Sequence, residues 1–181
     1  MKTCMISFSS RADGNCAAIA DCVQETLGAE GLTRFDFSRL SVHGCGACHC
    51  ECFRQREACP YFADDAFRLN EAAALADRAV FIVPNYCDFP CSNFFLFNER
   101  SQCCFNGHAK LADRYLAVPK KFIVVSNTGR ENFLAAFRDH VLPGTEPDVC
   151  FLRAAAYHRI SLDGDLMTCE QIGRASCRER V

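Results

Sequence analysis

An excess of charge of one sign is missing from this chain: 20 Lys and Arg face 22 Asp and Glu, for a formal net charge of −2 and a pI near 6.2. The electrostatic footprint of a nucleic-acid binder is therefore absent, and no basic run is dense enough to hold a membrane surface. Long apolar runs are missing too, since no stretch reaches the roughly 18 residues that a bilayer crossing needs. Residues 1–10 enter a strand-like run with one Lys and no small-residue cleavage site, so the chain reads as cytosolic. Neither GxxxxGK(S/T) nor GxGxxG occurs, which argues against a nucleoside triphosphate or a dinucleotide held in the usual way. No HExxH, no Ser-His-Asp order and no paired catalytic carboxylates can be assembled, so hydrolase readings fall away. What the chain has is cysteine, 15 in 181 residues. In a reducing compartment these are metal ligands, redox thiols or buried packing residues rather than a disulfide framework, because a chain this long builds a core without staples.

Residues 172–181 read IGRASCRERV, which is what one frame of a common short-read sequencing adapter encodes; we read them as an artefact. On that reading the natural chain continues past Glu170, and residues 1–171 form a single domain. The apolar run at 2–9 reads as a strand, and Ile19, Val23 and Leu27 mark a helix that Gly28 and Gly31 close. Residues 32–37 form a second strand. Asp64-Asp65 starts a helix through Leu69 and Leu75, residues 79–83 form a buried strand, and the Phe-rich segment 89–105 carries the next helix. Residues 121–126 are another apolar strand, 131–142 a helix stopped by Pro143, and 149–156 a final strand, with a fifth helix expected after Asp165. Continuous rather than alternating apolar strands mean that both sheet faces are covered. The expected fold is therefore a five-stranded, doubly wound parallel α/β sheet.

Ligands of such sheets bind beyond the carboxyl ends of the strands. Three polar, turn-rich loops converge there: residues 9–16 after the first strand, Pro84-Asn85-Tyr86-Cys87 after the third, and Ser126-Asn127-Thr128-Gly129-Arg130 after the fourth. The first combines hydroxyls, an arginine and a Gly-Asn turn at a helix N-terminus, where free N–H groups and the positive dipole end suit one phosphate.

The motifs Ser9-x-Arg11-x-x-Gly14-Asn15, Pro84-x-Tyr86, Asn98-Glu99-Arg100 and Thr128-Gly129 resemble, in order and spacing, the NAD(P)H-dependent FMN reductases and, more narrowly, their cysteine-bearing iron–sulfur flavoprotein branch. The likeness covers residues 2–170. It implies a flavodoxin-like sheet of order 2-1-3-4-5 with FMN at the strand ends. Ser9, Arg11, Gly14, Asn15 and Cys16 would surround the FMN phosphate, with Cys16 standing where many relatives have Ser or Thr, and with Phe8-Ser9 in place of Gly-Ser. Pro84, Asn85, Tyr86 and Cys87 would line the isoalloxazine, and Thr128 and Gly129 would approach its pyrimidine edge. The implied activity is electron transfer from NAD(P)H through bound flavin to a small-molecule or protein acceptor. The alternative is an electron carrier with a ferredoxin-like partner.

Residues 45–59 carry Cys45, Cys48, Cys50, Cys52 and Cys59, five thiols within 15 residues. Close-set cysteines with a later one brought back by a turn suit a [4Fe–4S] cluster or a zinc ion. Cys45, Cys48, Cys52 and Cys59 are the candidate ligands, with Cys50 able to replace Cys52. A metal-free loop that packs or forms reversible disulfides is the remaining alternative, and a zinc-stabilised binding module is a distant one. Cys4, Cys22 and Cys150 read as small core residues. Cys91 and Cys103-Cys104 read as packing residues with a redox role as the alternative. Phe89, Phe94, Phe95, Phe97 and Phe105 read as core or as a subunit interface, and the expected assembly is a homodimer or homotetramer.

Overall fold

The computed structural model describes residues 1–46, 48–86, 89–126, 131–138 and 147–153. Along them run β1 (Thr3–Ser7), α1 (Asn15–Leu27), β2 (Leu32–Asp36), α2 (Asp65–Leu75), β3 (Arg78–Tyr86), β4 (Phe89–Pro90), α3 (Ser92–Phe105), α4 (Ala109–Ala117), β5 (Lys120–Ser126), α5 (Glu131–Ala136) and β6 (Asp148–Arg153). The sheet has the order β2-β1-β3-β5-β6, with every one of these pairs parallel. This is the expected 2-1-3-4-5 order once β4, a two-residue strand antiparallel to the end of β3, is set aside.

Side chains alternate between the two sheet faces, and both faces are buried. Ile6, Phe8, Phe81, Val83, Phe122 and Val124 meet Leu69 of α2, Phe94 and Phe97 of α3, and Phe133 of α5. Met5, Val80, Ile82, Val125 and Leu152 meet Cys16, Ile19 and Ala20 of α1. The first face is aromatic: Phe8 lies 5.3–5.6 Å from Phe37, Phe81, Phe94 and Phe97, the last three edge-on.

Three elements differ from the sequence reading. The segment 89–105 divides into β4 and α3, because Pro90 keeps the first two residues extended and the Cys91 N–H returns to the Pro84 carbonyl at 3.0 Å. Asn98-Glu99-Arg100 sits inside α3. Helix α4 was not expected: it packs through buried Tyr115 and follows a break at Gly107, whose φ is +72°. Cys22 is half-buried and disulfide-bonded rather than a free core thiol. The expected start of α2 holds, since Asp64 at its N-cap accepts the Ala66 N–H at 2.9 Å. The helix expected after Asp165, and residues 172–181, lie outside the described residues. None of the helices among the described residues is long and apolar enough to cross a membrane.

The turn from α1 into β2 depends on Gly31. Its φ is +75°, and a Cβ there would stand 2.7 Å from the Met1 carbonyl oxygen. Gly31→Ala is expected to cost about 1–2 kcal/mol, since the left-handed backbone and the close approach both oppose a side chain. Chemical denaturation checks this; an unchanged midpoint would mean that the N-terminal residues simply move aside.

Candidate functional site

The loop between β1 and α1 leaves the sheet at Ser7 and enters the helix through Gly14, an extended N-cap with φ −92°. A glycine has no side chain to accept the first-turn amides, and the first turn of α1 holds no acidic residue. The Ala17 and Ala18 amides turn back to the Gly14 carbonyl, and the positive end of the helix dipole faces the loop, a setting that favours negative charge. Arg11 lies over this end: a Cβ at Gly14 would stand 3.5 Å from its Nε. The Arg11 side chain is half-exposed and only 4.0 Å from the more exposed Asp13 carboxylate, a long surface ion pair that holds it weakly. Ser9 is buried, and its Oγ accepts the Arg11 N–H at 3.1 Å, which shapes the loop.

Asn93 and Cys91, both at the start of α3, fasten this loop from the far side. Asn93 Nδ2 donates to the Phe8 carbonyl at 2.8 Å and to Ser10 Oγ at 2.9 Å, while the Cys91 thiol donates to the same carbonyl at 3.4 Å. Sequence reasoning did not place Asn93 in the site; the only signal was a polar residue in the first turn of a Phe-rich helix. Cys16 points into the core with Met5 and Ile19, and burial pushes its thiol up to about 12. Burial likewise pushes Cys91 up to about 11. Both are neutral thiols near pH 7, so Cys16 offers the loop its backbone rather than an anion-binding side chain.

At the end of β3, Asn85 is buried and its Nδ2 donates to Ser126 Oγ at the end of β5, 3.2 Å away. This bond ties the second and third loops together across neighbouring parallel strands. Tyr86 is 56% exposed beside them. Burial raises its hydroxyl pKa, the nearby Cys16 and Cys91 sulfurs raise it further, and Arg11 acts in the opposite sense. Ser9, Arg11, Gly14, Asn15, Pro84, Asn85 and Tyr86 are thus gathered at the carboxyl ends of β1 and β3. Cys87, Thr128 and Gly129 lie outside the described residues.

The cysteine loop is a separate assembly built on Arg100. This arginine is fully buried in α3 and pairs with Asp64 through Nη1 at 2.7 Å. It also donates to the carbonyls of His43 at 2.6 Å and Tyr61 at 3.3 Å, so one guanidinium holds both ends of residues 43–61. His43 stacks on Tyr61 with ring centroids 4.7 Å apart, and the Cys45 N–H donates to Glu99 of α3. The loop thiols come together only in part: Cys52 stands within electrostatic reach of Cys48, Cys50, Cys59 and Cys103. Cys52 and Cys59 are buried with Cys103 and Cys104 of α3, Cys45 and Cys50 are exposed, and Cys48 is intermediate. Among the described residues no three His, Cys, Asp or Glu side chains are grouped to hold a metal ion. The hydrogen bond from Cys104 and the neighbouring Arg100 hold the Cys103 thiol well below its usual pKa, while that of Cys104 is driven up.

No family model matches the chain, and no curated protein matches it. Solved structures do. Smu.1420 from Streptococcus mutans UA159 superposes with a TM-score of 0.62 at 15% identity, over 99% of each chain. FerB, a flavoenzyme NAD(P)H:(acceptor) oxidoreductase from Paracoccus denitrificans, gives 0.55 at 13% identity, over 98% of this chain and 94% of that one. The azoreductase AzrA gives 0.56 at 9% identity, over 98% of this chain and 100% of that one. At such identities the likeness establishes the fold alone, a flavodoxin-like α/β sheet.

Proposed function

We propose that this chain is an FMN-dependent NAD(P)H oxidoreductase that passes electrons to a small-molecule or protein acceptor. One observation carries the reading: an arginine and a glycine-capped helix N-terminus stand beside the buried Asn85–Ser126 bond and exposed Tyr86, at the carboxyl ends of neighbouring parallel strands. The descriptions of FerB and AzrA, a flavoenzyme oxidoreductase and an azoreductase, support it.

The residues fit FMN better than a dinucleotide, because the loop offers one helix end and one arginine, enough for one phosphate. Arg11 and the first amides of α1 would hold that phosphate. Ser9 and Asn93 keep the loop in shape by accepting from it and donating to it. Asn85 and Tyr86 would lie along the ring system, with Cys87, Thr128 and Gly129 as further candidates. When bound, FMN supplies the two-electron redox chemistry, so this chain needs no acid–base triad of its own. An iron–sulfur cluster held by Cys45, Cys48, Cys52 and Cys59 does not fit the placement of those thiols among the described residues, where Cys45 and Cys50 are exposed and Cys52 and Cys59 buried.

Tyr86, Phe89 and Phe95 are exposed around the same edge, and a second copy of the chain would cover them, so the proposed assembly is a homodimer. Light scattering is expected to give twice the monomer mass; the monomer mass refutes it. For the activity itself, purified protein is mixed with FMN and NADH or NADPH under anaerobic conditions. Saturable FMN binding and bleaching of the flavin absorbance are expected. Absence of FMN binding overturns the reading, and binding without bleaching by either nucleotide removes the NAD(P)H part of it.

A further inference from the structure

We propose that Cys59 and Cys103 form a redox dithiol, which a small hydroperoxide converts into an intramolecular disulfide between the cysteine loop and α3. The inference is independent of the flavin reading, since none of its residues belongs to the strand-end site.

The geometry is that of a pair held on one cation. Arg100 Nε donates to Cys103 Sγ at 3.4 Å, and Nη2 of the same guanidinium reaches Cys59 Sγ at 3.8 Å. The two cysteines are 44 positions apart, so this meeting is made by the tertiary fold and not by local spacing. Arg100 cannot move away from them: Asp64 and the His43 and Tyr61 carbonyls take its remaining donors. Sulfur anion is stabilised beside a fixed guanidinium, and the attacking thiol of a disulfide pair needs such a place.

Cys104 donates a hydrogen bond to Cys103 but does not compete as the disulfide partner, because an S–S bond between adjacent residues would distort the helical turn that carries Arg100. Cys52 is buried in the same cluster but does not share the guanidinium. Cys103 is 2% exposed and Cys59 9%, so a small oxidant is required.

The Cys103 sulfur takes the terminal oxygen of the hydroperoxide: an S–O bond forms, the O–O bond breaks, and an alcohol, or water from hydrogen peroxide, leaves with a proton. Sulfur is oxidised by two electrons and the peroxide is reduced by two. The Cys59 sulfur then attacks the sulfenic sulfur; the S–S bond forms, the S–O bond breaks, and hydroxide leaves as water with the Cys59 proton. Two thiols and one hydroperoxide thus give one disulfide, one alcohol and one water. A dithiol reductant reverses the reaction and is itself oxidised to a disulfide.

In the test, the fully reduced chain is exposed to hydrogen peroxide, unfolded in the presence of an alkylating agent and mapped by mass spectrometry. The expected product is the 59–103 cross-link, lost again on treatment with dithiothreitol. Cys59→Ser is expected to abolish the cross-link and leave a sulfenic acid at Cys103 that dimedone traps. Cys103→Ser is expected to leave Cys59 unmodified, with circular dichroism checking that both variants fold. Three results would overturn the proposal: Cys103 still alkylatable after the exposed Cys45 and Cys50 are oxidised, Cys103 joined to Cys52 or Cys104 instead, or stoichiometric zinc, or iron with sulfide, bound to these thiols in purified protein.

Discussion

Asp64→Ala is expected to destabilise the fold by about 3–5 kcal/mol, because it strands a buried guanidinium. Arg100 is fully buried and Asp64 nearly so, and the carboxylate accepts four hydrogen bonds: two from Arg100, one from the His43 N–H at 3.0 Å and one from the Ala66 N–H at 2.9 Å. Alanine removes all four at once, including the cap of α2. Asp64→Asn keeps an acceptor for the cap and loses the charge, so its deficit is expected to be smaller by about 1 kcal/mol, the usual worth of an N-cap. Urea denaturation of the two variants beside the parent checks both values. Equal stability of Asp64→Ala and the parent would mean that Arg100 finds another partner.

The same carboxylate sets an acid limit. Burial pushes the Asp64 pKa up, but the His43 N–H, Arg100 and the Ala66 N–H outweigh it and hold the group below its usual range. A group depressed in the folded state contributes fully above its unfolded value, near pH 4, and its contribution is lost as the pH falls through the lower folded value. The parent is therefore expected to lose stability below about pH 4 more steeply than Asp64→Asn.

Much of the frame was legible because its signals are local. The apolar runs around Ile6, Val80–Val83 and Phe122–Val125 mark strands covered on both faces, and Asp64 marks a helix start without reference to anything distant. Helix α4 is only nine residues long, and although Leu111 and Tyr115, four apart, both pack on the core, one such pair does not by itself mark a helix in the sequence. Strand β4 was hidden for a different reason, since two residues ending in a proline carry no strand pattern. In the candidate site, the positions of Arg11, Gly14 and Asn85 followed from chain order along a parallel sheet. Asn93 did not, because its bond to Phe8 joins residues 85 positions apart. The surroundings of the cysteine loop were hidden for the same reason: its internal spacing left open a metal site or a metal-free loop, whereas the structure sets Cys52 and Cys59 beside Cys103 and Cys104, and Cys59 beside an arginine that pairs with Asp64 across 36 positions.

Arg11→Ala is expected to weaken FMN binding by about 1.5–3 kcal/mol, roughly 10- to 150-fold, the worth of a charge-assisted contact to phosphate. The lower part of that range applies if the guanidinium stays as open to water with ligand bound as it is now, with its side chain 47% exposed. Two features of the loop make Arg11 the sensitive position: its guanidinium lies over Gly14 at the end of α1, and its backbone is fixed by Ser9. Arg11→Lys keeps the charge but loses the fork of donors, so it is expected to recover part of the affinity and to show the steeper dependence on salt. Quenching of FMN fluorescence on titration measures all three proteins, and a fold unchanged by circular dichroism confines the effect to binding. Riboflavin, which lacks the phosphate, separates the causes. Its affinity should be equal for parent and Arg11→Ala, and an equal loss for riboflavin and FMN would move Arg11 away from the phosphate and toward the ring.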